Sequence, residues 1–433
     1  MTPWNKSVFH WQKLNLILQV NLLDANDSVV GEGPSFTNHT HSHSGTLTLT
    51  PEDRRRVRFA LACVVIPIAL LTMLGLFIFW PTTGTLGGSG STAIASRAEF
   101  APGTEKVIGE ISFIGQTDEN RQTPVKMKID GVEVGVHVPY EYVHNGLDVG
   151  DRINAIFSPG LIETDTPYIF VDFVRAVPVW ILITLYILVV LIVARGKGLA
   201  AVLGLGVSLA VVAAFMLPAL MAGKSPIMVV IIGAVSMMFT SIYLAHGISI
   251  RTTTAILGTL GGLLITGVVA WISIDSINLT GTYGEESVGL YSQLGYLRMD
   301  QILLCGMILA GLGALNDVTI TQVSTVWELH AANPAARRRK IFRQAMIIGR
   351  DHIASTVYTL AFAYVGSALP LLMSATLVDR GFVDFLMIGQ VTEEIVRTLV
   401  ASVGLVLAIP MTTAIATIFA PVAPTTTKEN TDE

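Results

Sequence analysis

Charge is what this sequence has least of. Asp, Glu, Lys and Arg make up only 14% of its 433 residues, against about 25% in a soluble domain. Apolar residues reach 52% and the mean hydropathy is +0.61. That leaves too little polar surface to face water at this size, so lipid is the expected solvent. Cysteine is almost missing too. Cys63 and Cys305 both sit in apolar runs, where cysteine packs as a small hydrophobe, which argues against a disulfide framework or a cysteine metal site. The net charge of −5 comes without a broad basic face, so nucleic acid is not an expected partner. HExxH, GxSxG, GxGxxG and the P-loop are all absent from the chain. Zinc-protease, serine-hydrolase and direct ATP-coupled chemistry therefore lack their usual residues, and neither enzyme activity nor a metal or other cofactor is expected. The first long apolar run starts only at Phe59, too late for an ordinary cleaved leader.

What is present is a series of long apolar runs. Residues 1–53 read as a polar, disordered tail, with alternating His39, His41 and His43 as a weak metal-binding tract at most. Thr50-Pro51-Glu52-Asp53 is a helix start: a capping hydroxyl, proline at the first helical position and acids at the positive helix end. A first transmembrane helix is assigned to residues 54–80. Its apolar part, Phe59–Trp80, is about 22 residues long, enough for a hydrocarbon core of ~30 Å. Residues 81–176 break the pattern. After a Gly/Ser/Thr linker at 82–91, short β-like runs occur at 106–114, 125–129, 132–139, 152–157 and 167–172, separated by turns such as Asp130-Gly131 and Gly150-Asp151. They predict a small β-barrel-like domain, OB-like or SH3-like. Residues 177–420 then predict seven more spans, near 177–194, 199–217, 226–246, 253–272, 301–325, 354–375 and 397–419. A polar tail follows at 421–433. The fold class is thus an α-helical polytopic membrane protein of about eight transmembrane helices, with the β domain between the first and second.

Arg and Lys set the orientation. If the spans alternate, Arg54–Arg58, Arg195, Lys197, Arg251 and Arg337–Lys340 all fall on one side. Both termini are then cytoplasmic and the β domain is extracytoplasmic. The segment after Asn333-Pro334 alternates Ile341, Phe342, Ala345 and Ile348 with Arg338, Arg339 and Arg343, as in a helix lying among cytoplasmic headgroups.

Polar side chains inside these runs narrow the search for a site. A charge at the centre of a membrane helix costs roughly 2.5–3.5 kcal/mol, so it faces a partner or water. In the sixth span Gly306, Ala310 and Gly313 share a stripe with Asp317, Thr321, Ser324, Thr325 and Glu328 at spacings of three and four. Asn316, Thr319 and Gln322 widen it, while Val318, Ile320, Val323 and Trp327 lie opposite. This is a cavity or ion path, or else a helix leaving the membrane near Asp317. In the seventh span Asp351, Ser355 and Thr359 form a second stripe running on to Ala363 and Gly366, with His352 beside it as a group able to shuttle protons. The alternative is that Asp351 serves the helix N-terminus, with Arg350 on lipid phosphate. Glu393, Glu394 and Arg397 open the eighth span; Glu393 and Arg397, four apart, suggest an intrahelical pair, with a cation entrance as the sharper alternative. Pro370 and Pro410 lie within spans seven and eight, as kinks or broken-helix sites. Gly258 and Gly262 form a GxxxG packing signal.

The same residues resemble the YibE/F-like family of bacterial membrane proteins. The likeness is carried by Asn316-Asp317-Val318, Ser324–Leu329, Gly349–Thr356 and Thr359–Gly366. It extends over roughly residues 100–420, including the turn Gly146–Arg152. The resemblance implies a multi-pass inner-membrane protein, a permease without an assigned substrate. The expected function is movement of a small solute or ion coupled to an ion gradient. Asp317, Glu328 and Asp351 would bind a cation or proton, His352 would relay, and Thr321, Ser324, Thr325, Ser355 and Thr359 would supply oxygens. The expected partners are the bilayer, that solute or cation, and an extracytoplasmic protein on the β domain. The alternative is a non-transporting envelope scaffold or signalling protein that uses the β domain alone.

Overall fold

The computed structural model describes residues 51–81, 105–158, 167–377 and 381–420. The two tails, the histidine tract, the Thr50 cap and the 82–91 linker lie outside them.

Helix α1 spans Pro51–Phe79. The β domain follows, with β1 Glu105–Ile114, β2 Gln122–Ile129, β3 Val132–Pro139, a short helix α2 Tyr140–His144, β4 Arg152–Phe157 and β5 Tyr168–Phe173. The strands close into a barrel in the order β1-β2-β3-β5-β4. All neighbours are antiparallel except β3 and β5. Of the two expected barrels this is the OB-like one, a five-stranded Greek key. Sequence alternation builds it. Val125 and Met127 of β2 face in with Val136 and Val138 of β3 and Ile153 and Ala155 of β4, while Lys126, Lys128 and His137 face out. Asp130-Gly131, with φ of 48° and 88°, makes the two-residue turn between β2 and β3 that such a hairpin requires.

The remaining elements are helical. Helix α3 (Ala176–Val211) continues through a π turn over Val212–Met216 into Leu217–Met221. Then come α4 (Pro226–His246), α5 (Ile250–Ile277), α6 (Glu285–Gln293), α7 (Met299–Ala310), α8 (Leu312–Ala332), α9 (Arg338–Ser367), α10 (Leu369–Thr376), α11 (Phe382–Leu386) and α12 (Gly389–Phe419). Local chemistry sets several ends. Pro226 opens α4 and Gly247, with φ of 72°, closes it. Ser249 and Thr252 cap α5 reciprocally, and Asn278 in the left-handed region ends it.

Among the described residues six helices are long and apolar enough to cross a membrane, or seven if the bent pair α9–α10 counts as one span. Two expectations change here. The spans placed at 177–194 and 199–217 belong to one helical run of 46 residues, Ala176–Met221, interrupted only at Arg195, whose φ of 51° and ψ of −131° are non-helical. The span placed at 354–375 is broken: the chain bends by 62° between Ser367 and Leu369, just before Pro370, which lacks the N–H to continue the helix. Pro410, by contrast, is carried inside α12.

Helix α12 packs against α5, α8 and α9. Its seam with α5 is close because glycine faces threonine. A Cβ on Gly404 would run into Thr266 Oγ1, and one on Gly258 into Thr412 Oγ1. Gly262, the other half of GxxxG, faces Leu315 and Ala408. Small residues let helix backbones approach where lipid offers no hydrophobic drive to associate.

Candidate functional site

Helix α8 has two faces. Val318, Thr319, Gln322, Val323 and Val326 are buried. Thr319 Oγ1 bonds Thr259 Oγ1 of α5 at 2.7 Å, and Gln322 Nε2 donates to Ala345 O of α9 at 3.0 Å. Thr319 and Gln322, expected to widen the polar surface, are therefore interior cross-links. The reason is their position on the arc that carries Val318 and Val323.

The opposite face carries the expected stripe and meets a cavity of about 520 Å³ between the second half of α3, α4 and α7–α8. Asp317 and Asn316 line it with Ser241 and His246 of α4 and Ser208 of α3. Asn316 Nδ2 donates to Ser241 Oγ at 3.0 Å. Its buried Oδ1 has no partner among the described residues. The Asp317 side chain keeps 72% of its surface exposed, and its Oδ2 lies 3.9 Å from His352 Nε2 on α9. That is too long for a direct hydrogen bond but close enough for charge pairing when the imidazole is protonated. His352 Nε2 is itself buried without a hydrogen bond among the described residues. The cavity wall thus has one carboxylate, one imidazole, an amide and two hydroxyls among apolar side chains, with the His352 imidazole beside Asp317.

Other expected members lie elsewhere. Asp351 does not join Asp317: Asp351, Ser355 and Thr359 all point away from the bundle and are exposed. The inward face of α9 runs through Ile341, Ala345 and Gly349 towards His352, and Asp351 lies about 100° off that line. Thr359 Oγ1 is spent on Ser355 O at 3.0 Å. Glu328 is drawn to α5, where Arg251 meets it at 3.2 Å. Thr321, Ser324 and Thr325 are half-buried on α8, and Thr325 bonds back to Thr321 O at 3.0 Å.

At the opposite end of α12 the expected Glu393–Arg397 pair is replaced by Glu394–Arg397 at 3.2 Å. Glu393 is turned inward, 9% exposed, and accepts the Gly281 N–H at 3.1 Å. It ties the loop after α5 to the start of α12. Sequence reasoning did not place Ser241 or Ser208 at the site. Their traces in the chain are breaks in apolar runs, at Thr240-Ser241 and at Ser208.

Residues 182–422 match the model of the family described as YibE/F-like protein. The chain belongs to that family. No curated protein and no solved structure matches it. The YibE/F-like match begins inside α3, so it takes in the bundle onward and leaves the barrel and α1 outside. Two of the segments that carried the resemblance, around Asp317 and around His352, are the ones that meet beside the cavity.

Proposed function

We propose that this chain is a permease of a bacterial cytoplasmic membrane, moving a small solute or ion through the bundle with an ion gradient as its energy source. It is a carrier and not an enzyme. The observation that carries this reading is the 520 Å³ cavity with Asp317, Asn316 and His246 in its wall. A carboxylate on a helix of this apolarity costs a few kcal/mol unless water or a partner shelters it, and the cavity supplies that shelter.

Eight crossings and cytoplasmic termini fit the same reading. A 46-residue helical run is ~69 Å long, more than twice a ~30 Å core, and Arg195 is the natural place for it to turn back. The packing of α3 against α4 supports this. The cavity then opens towards the cytoplasm, the side to which Arg55, Arg56, Arg58 and Arg337–Arg339 assign the inner helix ends.

Reconstituted vesicles on a solid-supported membrane test the reading. They are challenged with a panel of inorganic cations, protons and small organic acids, comparing wild type, Asp317→Asn and protein-free lipid. A current that wild type carries and Asp317→Asn loses is the expected result. Equal currents in wild type and Asp317→Asn would remove the cavity from the path. The scaffold reading has one observation in its favour, that the barrel's buried core is drawn wholly from its own strands and turns. Flux that persists after deletion of residues 100–170 would count against it.

A further inference from the structure

A second groove, of about 410 Å³, lies between α1 and the α4–α5 turn. One wall is Arg58, Leu61, Ala62 and Val65 of α1, spaced at three, four and seven along one helical face. The other wall is the end of α4 and the start of α5. There Tyr243 OH meets Thr253 Oγ1 at 3.2 Å, and Ile248 stands 84% exposed at the lip.

The groove is amphipathic along its length. Among the described residues Arg58 is the only charged one lining it, and Arg55 and Arg56 lie exposed one turn away. The 28-residue helix α5 begins at the groove. Its Ser249 cap takes the Thr252 N–H at 3.1 Å, and the Thr253 N–H goes to Ser249 O at 2.9 Å. The Ile250 and Arg251 N–H groups remain at the positive end of the helix. Arg251's own guanidinium is turned aside to Glu328. A guanidinium, a helix N-terminus and hydroxyls at one end, with an apolar channel running from them, complement an anionic phosphate head carrying an acyl chain.

We propose that this groove seats one anionic phospholipid, its phosphate at Arg58 and the start of α5 and an acyl chain along Leu61, Ala62 and Val65. The assignment rests on the membrane placement of α1 and is independent of transport. It makes the lipid a wedge between α1 and the two helices on which α1 packs, α4 and α5.

The test uses the full chain in an uncharged detergent. Thermal unfolding is followed with added phosphatidylglycerol, with phosphatidylcholine of the same acyl chains, and with inorganic phosphate alone. Native mass spectrometry counts retained lipid in parallel. Wild type is expected to gain more from phosphatidylglycerol than from phosphatidylcholine, to gain nothing from phosphate, and to retain phosphatidylglycerol preferentially. Arg58→Gln and the groove-filling Ala62→Phe should each lose the difference, while Arg339→Gln, which does not line the groove, keeps it. Should a substitution impair folding, lipid retention by the other carries the comparison. Three results would overturn the assignment: equal effects of the two lipids on wild type, a difference surviving both groove substitutions, or phosphate alone reproducing the shift. The first would leave the groove to a stretch of this chain or a second copy, and the last to a free anion.

Discussion

The α5–α12 seam and the crossing of α8 with α9 are both made of polar side chains on apolar helices, and they end differently. In the seam Thr266 bonds back to Gly262 O at 2.8 Å and Thr413 to Ile409 O at 2.7 Å. Glycine opposite threonine then lets the helices close with these residues fully buried. At the crossing, Asp317 and His352 stand 3.9 Å apart with 72% and 33% of their side chains exposed, beside a cavity. The difference lies in self-sufficiency. A threonine can satisfy its hydroxyl on its own helix and be packed away, as Thr266 and Thr413 are, and a lone unpartnered hydroxyl such as that of Thr412 costs far less than a buried charge. A carboxylate cannot, and the bundle stays open around it.

The sharpest way to break this comparison is Gly404→Leu. Overfilling a close-packed contact costs ~1–3 kcal/mol and occasionally more, and here the added carbons meet Thr266. Folded protein recovered from membranes should fall steeply; near-normal recovery would mean the seam is looser than its geometry. A paired substitution sharpens it at smaller scale. Thr259→Val removes the interhelical bond to Thr319 and should cost about 0.6 kcal/mol, the typical value between membrane helices. Thr412→Val should cost nothing or stabilise slightly, since Thr412 Oγ1 has no partner among the described residues. Thermal unfolding of both in one detergent reads the contrast, and equal losses would undo it. At the crossing, Asp317→Asn should leave the unfolding midpoint close to wild type, because an exposed carboxylate contributes little to stability. A large drop would recast Asp317 as a packing residue. The smallest effect lies outside both regions. Asp172, in the last barrel strand, accepts the Phe173 N–H and pairs with Arg175, and both hold its carboxyl below the ordinary 3.8. A lowered folded value means that its contribution is complete above the ordinary value and is lost as pH falls through the lowered one. Hydrogen exchange of the barrel amides should therefore be flat with respect to this group above that range. Asp172→Asn should lessen the acid loss.

Much of the fold was legible along the chain. All five strands lie within a few residues of the alternating runs, because period-two burial needs only the local pattern. The spans were legible because apolar length is a local property, and GxxxG marked a contact that does form. The interior of the candidate site was less legible. Asp317 was singled out, but Asp351 seemed its natural partner because both sit on polar stripes, and the histidine one residue on proved to be the neighbour. Glu393 and Glu394 exchanged expected roles for the same reason.

The sequence by itself determined which helices are long and apolar enough to cross a membrane, the order of strands and helices, and which side chains share a face of each helix. These follow from hydropathy, from turn chemistry and from repeats of 2 and 3.6 residues. How each helix is rotated about its axis was decided only in three dimensions. That angle is set by where glycine admits a neighbour and where bulk refuses one, and a turn of ~100° moves the pairing from Asp351 to His352. Helical spacing is indifferent to that rotation, so the composition of the cavity waited on the packing.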